Sequence, residues 1–319
     1  MKHRLTITLL LLSMFLFTQF FGLFVVSSYF PTTSEIINPS TGEIQFIQDE
    51  HPLPLGINST NENSSDAFWQ IIFSFIIAFA LIFFLIKYKW KSVIKTWFFI
   101  VVTIALIVSL NAILRYFIIS TSIISLIIAV PIAVWKIFKP NVFVHNITEL
   151  FIYPGIAAVF VPILSPVSII ILLVLISIYD MWAVWKSGIM QKLAKFQMEE
   201  LNLFGGFLIP SVSKEDREKI KNIRQKYKGK KIPSKIKNKK IKINLAMLGG
   251  GDIIFPIITA GVFMQFFGII PALFVTLGAT AGLVYLFLKT EKGKSYPAMP
   301  YITIGIFIGI LLAKFIGVF

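Results

Sequence analysis

The chain has 319 residues, 56 % of them hydrophobic and 15 % aromatic, with a mean hydropathy of +0.83. That is more apolar surface than a soluble domain hides in one core, and it points to a polytopic membrane protein. The absence of cysteine excludes a disulfide framework, a thiol nucleophile and an iron–sulfur cluster, and the three scattered histidines His3, His51 and His145 offer no zinc site. The net charge of +15 would suggest nucleic acid in a soluble protein, but here its distribution reads as topology.

Apolar stretches of about 17 to 25 residues are read as spans. In chain order they fall at 5–29, 68–86, 97–114, 118–135, 149–164, 167–185, 243–267, 270–288 and 297–319, nine in all. The first begins on the basic Met1-Lys2-His3-Arg4, but its length and the lack of a small-x-small site favour a retained helix over a cleaved signal. Residues 30–66 carry no Lys or Arg, several acids and turn formers such as Pro39-Ser40-Thr41-Gly42, and are expected to form an exposed outer loop. The sequons at Asn58 and Asn63 in that loop carry little weight. The fifth span is short, contains Pro154 and Pro162, and meets the sixth at Ser165-Pro166, so eight spans compete with nine. Charge decides for nine. With the amino terminus inside, 28 of the 30 Lys and Arg fall on inner segments, seventeen of them from Lys186 to Lys242, and only Arg115 and Lys314 remain outside. The expected fold is all-α, with nine transmembrane helices, the N-terminus cytoplasmic and the C-terminus extracytoplasmic. Its three parts are helices one to six (1–186), a basic cytoplasmic loop (187–242) and helices seven to nine (243–319).

Two acids stand inside this apolar sequence, Asp180 in the sixth span and Asp252 in the seventh, whereas the other thirteen lie in loops or near span ends. A carboxylate within a bilayer costs roughly 2.5 to 3.5 kcal/mol on insertion scales, so such groups face a polar interior and have a function. Counting from the span ends at Lys186 and Lys242, Asp180 lies roughly 9 Å and Asp252 roughly 15 Å from the cytoplasmic border. Both fall in the same half of the membrane, on antiparallel helices adjacent in sequence.

Two carboxyl groups a few ångströms apart in a low-dielectric site cannot both ionise cheaply, so they share one proton. That is the working state of an aspartic protease, where one carboxylate deprotonates water and the other carboxylic acid bonds the scissile carbonyl. Gly249 and Gly251 beside Asp252 would let a neighbouring backbone approach closely. Glycine with aspartate also occurs in proton- or ion-coupled transporters, and the two acids alone do not choose between the classes.

A third element is Pro297-Ala298-Met299-Pro300, opening the last span on the same inner side. By itself it reads as an ordinary helix start. Tyr179-Asp180, Gly249-Gly250-Gly251-Asp252 and Pro297-Ala298-Met299, in that order, resemble the Tyr-Asp, Gly-x-Gly-Asp and Pro-Ala-Leu signature of the presenilin and signal peptide peptidase group of intramembrane aspartyl proteases, in particular its archaeal or bacterial presenilin homologues. Met299 departs from the leucine of that pattern, a nearly isosteric exchange. The resemblance implies that Asp180 and Asp252 are the catalytic pair and that Tyr179, Gly249, Gly250, Gly251, Pro297, Ala298 and Met299 shape the site and hold substrate. It implies no cofactor and no metal. Its partners would be single-pass membrane protein substrates and the lipid bilayer, in the cell membrane. A prepilin-type peptidase shares Gly-x-Gly-Asp but has fewer helices and no Pro-Ala-Leu, and a catalytically silent scaffold would not need both acids.

In the long loop, residues 196–213 are amphipathic or apolar and are expected to lie against the membrane surface. The basic run from Lys214 to Lys242 reads as a solvated linker attracted to anionic headgroups rather than a nucleic-acid site. Lys239 to Ile243 alternate polar and apolar, and are expected to order as an edge strand that pairs with an extended substrate. Gly278-x3-Gly282 and Gly305-x3-Gly309 suit close helix packing. Asn111 and Gln265 are expected to bond between helices, and His145 and Glu149 to sit at a surface. Gly293-Lys294-Ser295 lacks the upstream glycine of a phosphate-binding loop.

Overall fold

The computed structural model describes residues 5–37, 44–49, parts of 69–88, 90–117, 121–187, 205–212, 243–290 and 296–319. In chain order the elements are α1 (Leu5–Ser27), β1 (Thr32–Ile37), β2 (Ile44–Asp49), α2 (Lys91–Leu114), α3 (Thr121–Phe138), α4 (Val142–Phe160), α5 (Pro166–Trp182), β3 (Gly206–Val212), β4 (Ile243–Gly249), α6 (Gly250–Phe267), α7 (Ile269–Lys289) and α8 (Met299–Phe315). Among the described residues, six helical stretches are long and apolar enough to cross a bilayer, beginning at Leu5, Lys91, Val142, Pro166, Gly250 and Ile269, while α3 and α8 are shorter. The expected second span falls largely outside the described residues.

Local signals set the helix ends. Asn141 opens α4, its side chain accepting from the Phe143 N–H at 2.9 Å, so this helix starts seven residues before the expected position and runs on through Pro154. Ser165 caps α5 and Pro166 occupies its first turn, where a missing N–H costs nothing. The fifth span that charge required is therefore a continuous helix.

α6 is the hub. It packs on α1, α4, α5, α7, α8 and the β3–β4 hairpin, and eleven of its eighteen residues are buried. Gln19, which the sequence reading passed over, is fully buried in α1 and donates to the Ile253 carbonyl at 3.1 Å, tying α1 to the turn that carries Asp252. Asn111 accepts from the Tyr29 hydroxyl and donates to Ser122, as an interhelical partner should, whereas Gln265 is exposed. α7 and α8 meet backbone to backbone: a Cβ on Gly278, Gly282, Gly305 or Gly309 would overlap main-chain atoms of the opposite helix, which is the packing expected of the two Gly-x3-Gly pairs.

Strands replace helix or loop at three places. Residues 243–249, expected as the start of the seventh helix, form β4, and residues 206–212, expected as a surface segment, form β3. They pair antiparallel from Gly206↔Gly249 to Val212↔Ile243. Phe207, Ile209, Ala246 and Leu248 share one buried face, an alternation of period two that a partner strand makes stable. Three consecutive glycines mark the changeover, Gly249 ending β4 as the N-cap and Gly250 and Gly251 opening α6. In the expected outer loop, β1 and β2 form a second antiparallel hairpin, with Pro39–Gly42 between them and outside the described residues.

Candidate active site

Asp252 sits where β4 becomes α6. Gly249 is the N-cap, in extended conformation with φ −62° and ψ 144°, and Asp252 is the third residue of the helix. Its carboxylate folds back onto the Gly249 backbone N–H, the return half of a capping box, and lies at the positive end of the helix dipole. The group is half-buried. The expected depth of about 15 Å assumed a helix rising from Lys242. With the helix starting at Gly250, Asp252 lies in its first turn instead.

Asp180 occupies the last turn of α5, is 7 % exposed, and reaches a different helix. Its Oδ2 accepts from the Met299 N–H at 3.0 Å, and the Ala298 N–H bonds the same carboxylate. Pro297 and Pro300 flank these amides and have no N–H of their own, so the two residues between them supply the donors at the open end of α8. Ala298 is the N-cap and Pro297 and Met299 are buried, so the sequence motif acts through its backbone here. One turn along both helices from the Asp180–Met299 contact, the Ser177 and Thr303 hydroxyls bond at 2.8 Å between α5 and α8, both buried. Neither was singled out from the sequence, although each lies one turn from a residue that was. α5 and α6 pack together, and the charge of Asp180 bears on Asp252.

The three glycines differ. A Cβ on Gly249 would stand 3.0 Å from Asp252 Oδ2, and one on Gly250 would stand 3.2 Å from the ring of buried Tyr153. On Gly251 it would meet only Phe255, at 3.8 Å, and this glycine is exposed. Gly249 and Gly250 thus serve packing within the chain, and Gly251 keeps clear the space outside it. Tyr179 is 43 % exposed, its ring 6.3 Å from Trp182.

The surface role expected for His145 and Glu149 is not what the structure has. Glu149 is 2 % exposed and pairs at 2.8 Å with Lys136, itself 4 % exposed. The Lys136 ammonium also donates to Thr148 Oγ1 at 3.1 Å and meets His145 Nδ1 at 3.2 Å. The physical reason is satisfaction: all three ammonium hydrogens find acceptors and the charge is matched, without which burial would cost several kcal/mol per ion. His145 Nε2 in turn bonds the Gly206 carbonyl at 2.7 Å, and the Asn146 side-chain amide takes both backbone groups of Leu208, at 2.7 and 2.9 Å. Among the described residues no three His, Asp or Glu side chains gather as metal ligands.

A sequence profile described as signal-peptide peptidase, presenilin aspartyl protease matches residues 54–318. No curated protein matches the chain. Among solved structures, a presenilin family intramembrane aspartate protease in space group C222 is 18 % identical, with a TM-score of 0.58 over 97 % of this chain and 99 % of its own. A presenilin family intramembrane aspartate protease in space group P2 gives 18 % identity and a TM-score of 0.57, covering 96 % of each chain. At that identity the likeness is one of fold.

Proposed function

The chain belongs to the signal-peptide peptidase and presenilin aspartyl protease family, and from that premise we propose that Asp180 and Asp252 together hydrolyse peptide bonds in the transmembrane segments of other membrane proteins. The observation that carries the proposal is the placement of both carboxyl groups at helix amino termini, Asp252 in the first turn of α6 and Asp180 on the open end of α8, at one end of the same packed bundle. In the reaction one carboxylate removes a proton from water while the other, as the acid, bonds the scissile carbonyl. The hydroxide adds to carbon, a tetrahedral diol forms, and the proton passes to the leaving amine as the C–N bond breaks.

A helical substrate offers no accessible peptide bond, so it must extend before it is cut. β4 is suited to receive it. Because Leu208 spends both backbone groups on Asn146, the Leu208↔Met247 pair is a non-hydrogen-bonded one, and by alternation the N–H and C=O groups of Leu245, Met247 and Gly249 point away from β3. The Gly249 N–H on that edge is the one Asp252 holds. An extended segment added along β4 would therefore run past this carboxylate. Of the Lys239–Ile243 stretch expected for this role, Ile243 opens β4 and Lys239 to Lys242 lie outside the described residues.

The wider reading is a nine-span protein of the cell membrane, N-terminus and 187–242 loop cytoplasmic, acting on single-pass substrates without a cofactor. Purified protein reconstituted in liposomes with a single-pass reporter tests the activity. Cleavage without any ion gradient, lost in both Asp180→Asn and Asp252→Asn, supports the protease. Gradient-coupled flux with an uncut reporter would replace it with a transporter.

A further inference from the structure

The β3–β4 hairpin has two edges, and the fold treats them differently. On the β3 side the outward-facing backbone groups belong to Gly206, Leu208, Pro210 and, at the far end, Val212. The Gly206 carbonyl is held by His145 Nε2, Leu208 is bonded on both its N–H and its C=O by Asn146, and Pro210 has no N–H. Over the part of the edge nearest the strand-to-helix turn, Gly206 and Leu208 are thus held and Pro210 offers no donor, which leaves a strand ladder little to build on there. On the β4 side, Leu245 and Met247 face outward. β4 makes its main contacts with β3 and α6 alone among the described elements, and Met247 is 41 % exposed.

The two clamping side chains are themselves held. Lys136 has no acceptor capacity, so its contact with His145 Nδ1 makes that nitrogen the acceptor and leaves the imidazole proton on Nε2, where it reaches Gly206. Glu149 and Thr148 take the other hydrogens of Lys136, and Thr148 Oγ1 bonds back to the His145 carbonyl at 2.8 Å. The first turn of α4 is thus locked against α3 with the tautomer that serves β3. The Gly250 N–H closes the same corner by donating to the Gly205 carbonyl at 3.1 Å.

We propose that His145 and Asn146 are positioning residues for proteolysis: they close the outer edge of β3, so that an extended substrate can join the hairpin only along β4, the edge that leads to Asp252. This rests on the reading that substrate adds as a strand, and its test separates the two. The clamp is measured first without substrate, by amide hydrogen exchange on the full-length protein in lipid nanodiscs. Leu208 is expected to be protected and Met247 to exchange at least tenfold faster, and Asn146→Leu is expected to release Leu208 while Phe207 and Ile209, bonded within the hairpin, stay protected. Leu208 exchanging as fast as Met247 in the unaltered chain would overturn the clamp.

Substrate is then located by disulfide trapping, for which the cysteine-free chain is a clean background. Neighbouring strands lie about 4.8 Å apart and the next one about twice that, so a disulfide reaches only the adjacent strand. A cysteine in an uncleaved reporter is expected to trap Met247→Cys in preference to Leu208→Cys by tenfold or more. Adding Asn146→Leu should narrow that ratio and make the cut position of a cleavable reporter heterogeneous. Asn146→Asp, which keeps the acceptor for the Leu208 N–H, should fall between. Equal trapping at both positions with Asn146 intact, or an unchanged ratio in Asn146→Leu, would overturn the proposal. A protected Leu208 with trapping at neither position would instead reject strand addition and, with it, the positioning role.

Discussion

The two aspartates are held in opposite ways. Asp252 is fixed locally: three residues earlier in the chain, Gly249 supplies the N–H it bonds, and the strand-to-helix turn that carries it is contiguous. Asp180 is fixed by tertiary structure, through amides 118 and 119 residues away at the start of α8 and through the Ser177–Thr303 bridge beneath it. One carboxylate is half-buried beside an open strand edge, the other is buried between helices. The difference teaches that the site is assembled when α8 docks on α5, and that errors at the two carboxylates should have different signatures.

The largest effect is shared by both. Asp180→Asn and Asp252→Asn should each lower kcat by roughly 10⁴-fold with the fold intact, since one amide cannot take over either proton transfer. A variant that retains more than a few per cent of activity would break the symmetry of roles. Next come the glycines on the Asp252 side. Gly249→Ala places a methyl 3.0 Å from the Asp252 carboxylate and should cost roughly 10- to 100-fold in kcat, whereas Gly251→Ala meets nothing nearer than 3.8 Å within the chain and should act mainly on KM. Equal losses in kcat from both would show that Gly249 is not special to the carboxylate.

Smaller effects are expected on the Asp180 side. Ser177→Ala or Thr303→Ala leaves one buried hydroxyl unpaired and should cost about 1–3 kcal/mol of stability, with loss of activity following loss of fold; the double replacement Ser177→Ala/Thr303→Val should recover most of it. Thermal unfolding in detergent of the two singles and the double would show whether the bridge docks α8. Smallest is Met299→Leu. Because Met299 meets Asp180 through its backbone N–H, this volume-conserving change should cost under about 1.5 kcal/mol and leave kcat within a factor of two or three.

Both acids stand out in the sequence because a carboxylate in an apolar span is physically costly, and the glycines beside Asp252 are noticed with them, whereas Pro297–Met299 reads by itself as a helix start and is picked out only by the family resemblance. Their partners were less legible. Ser177 and Thr303 are ordinary residues for a membrane helix, and only their depth relative to Asp180 and Met299 marks them. The β3–β4 hairpin was misread in two pieces because residues 206–212 and 243–249 are apolar enough to continue a helix or lie on a membrane, and their pairing spans a basic segment that periodicity cannot cross. Part of the strand signal is visible in the alternation that runs into Ile243, the first residue of β4, while Lys239 to Lys242 lie outside the described residues. The burial of Lys136 and Glu149 was hidden for a related reason: a charged residue at a span boundary looks solvated until three acceptors are found around it. The same applies to Gln19, whose partner lies 234 residues away.

The central claim is that both carboxyl groups act on one tetrahedral centre. Binding of a peptide isostere with a hydroxyl-bearing carbon in place of the scissile carbonyl tests this most directly, because such a group mimics the diol and bonds both acids at once. The protein is expected to bind the isostere at least about 100-fold more tightly than the matching peptide, and both Asp180→Asn and Asp252→Asn should lose that margin. Retention of the full margin in either variant, with the fold intact, would show that the corresponding aspartate does not face the reacting carbon and would contradict the two-aspartate account.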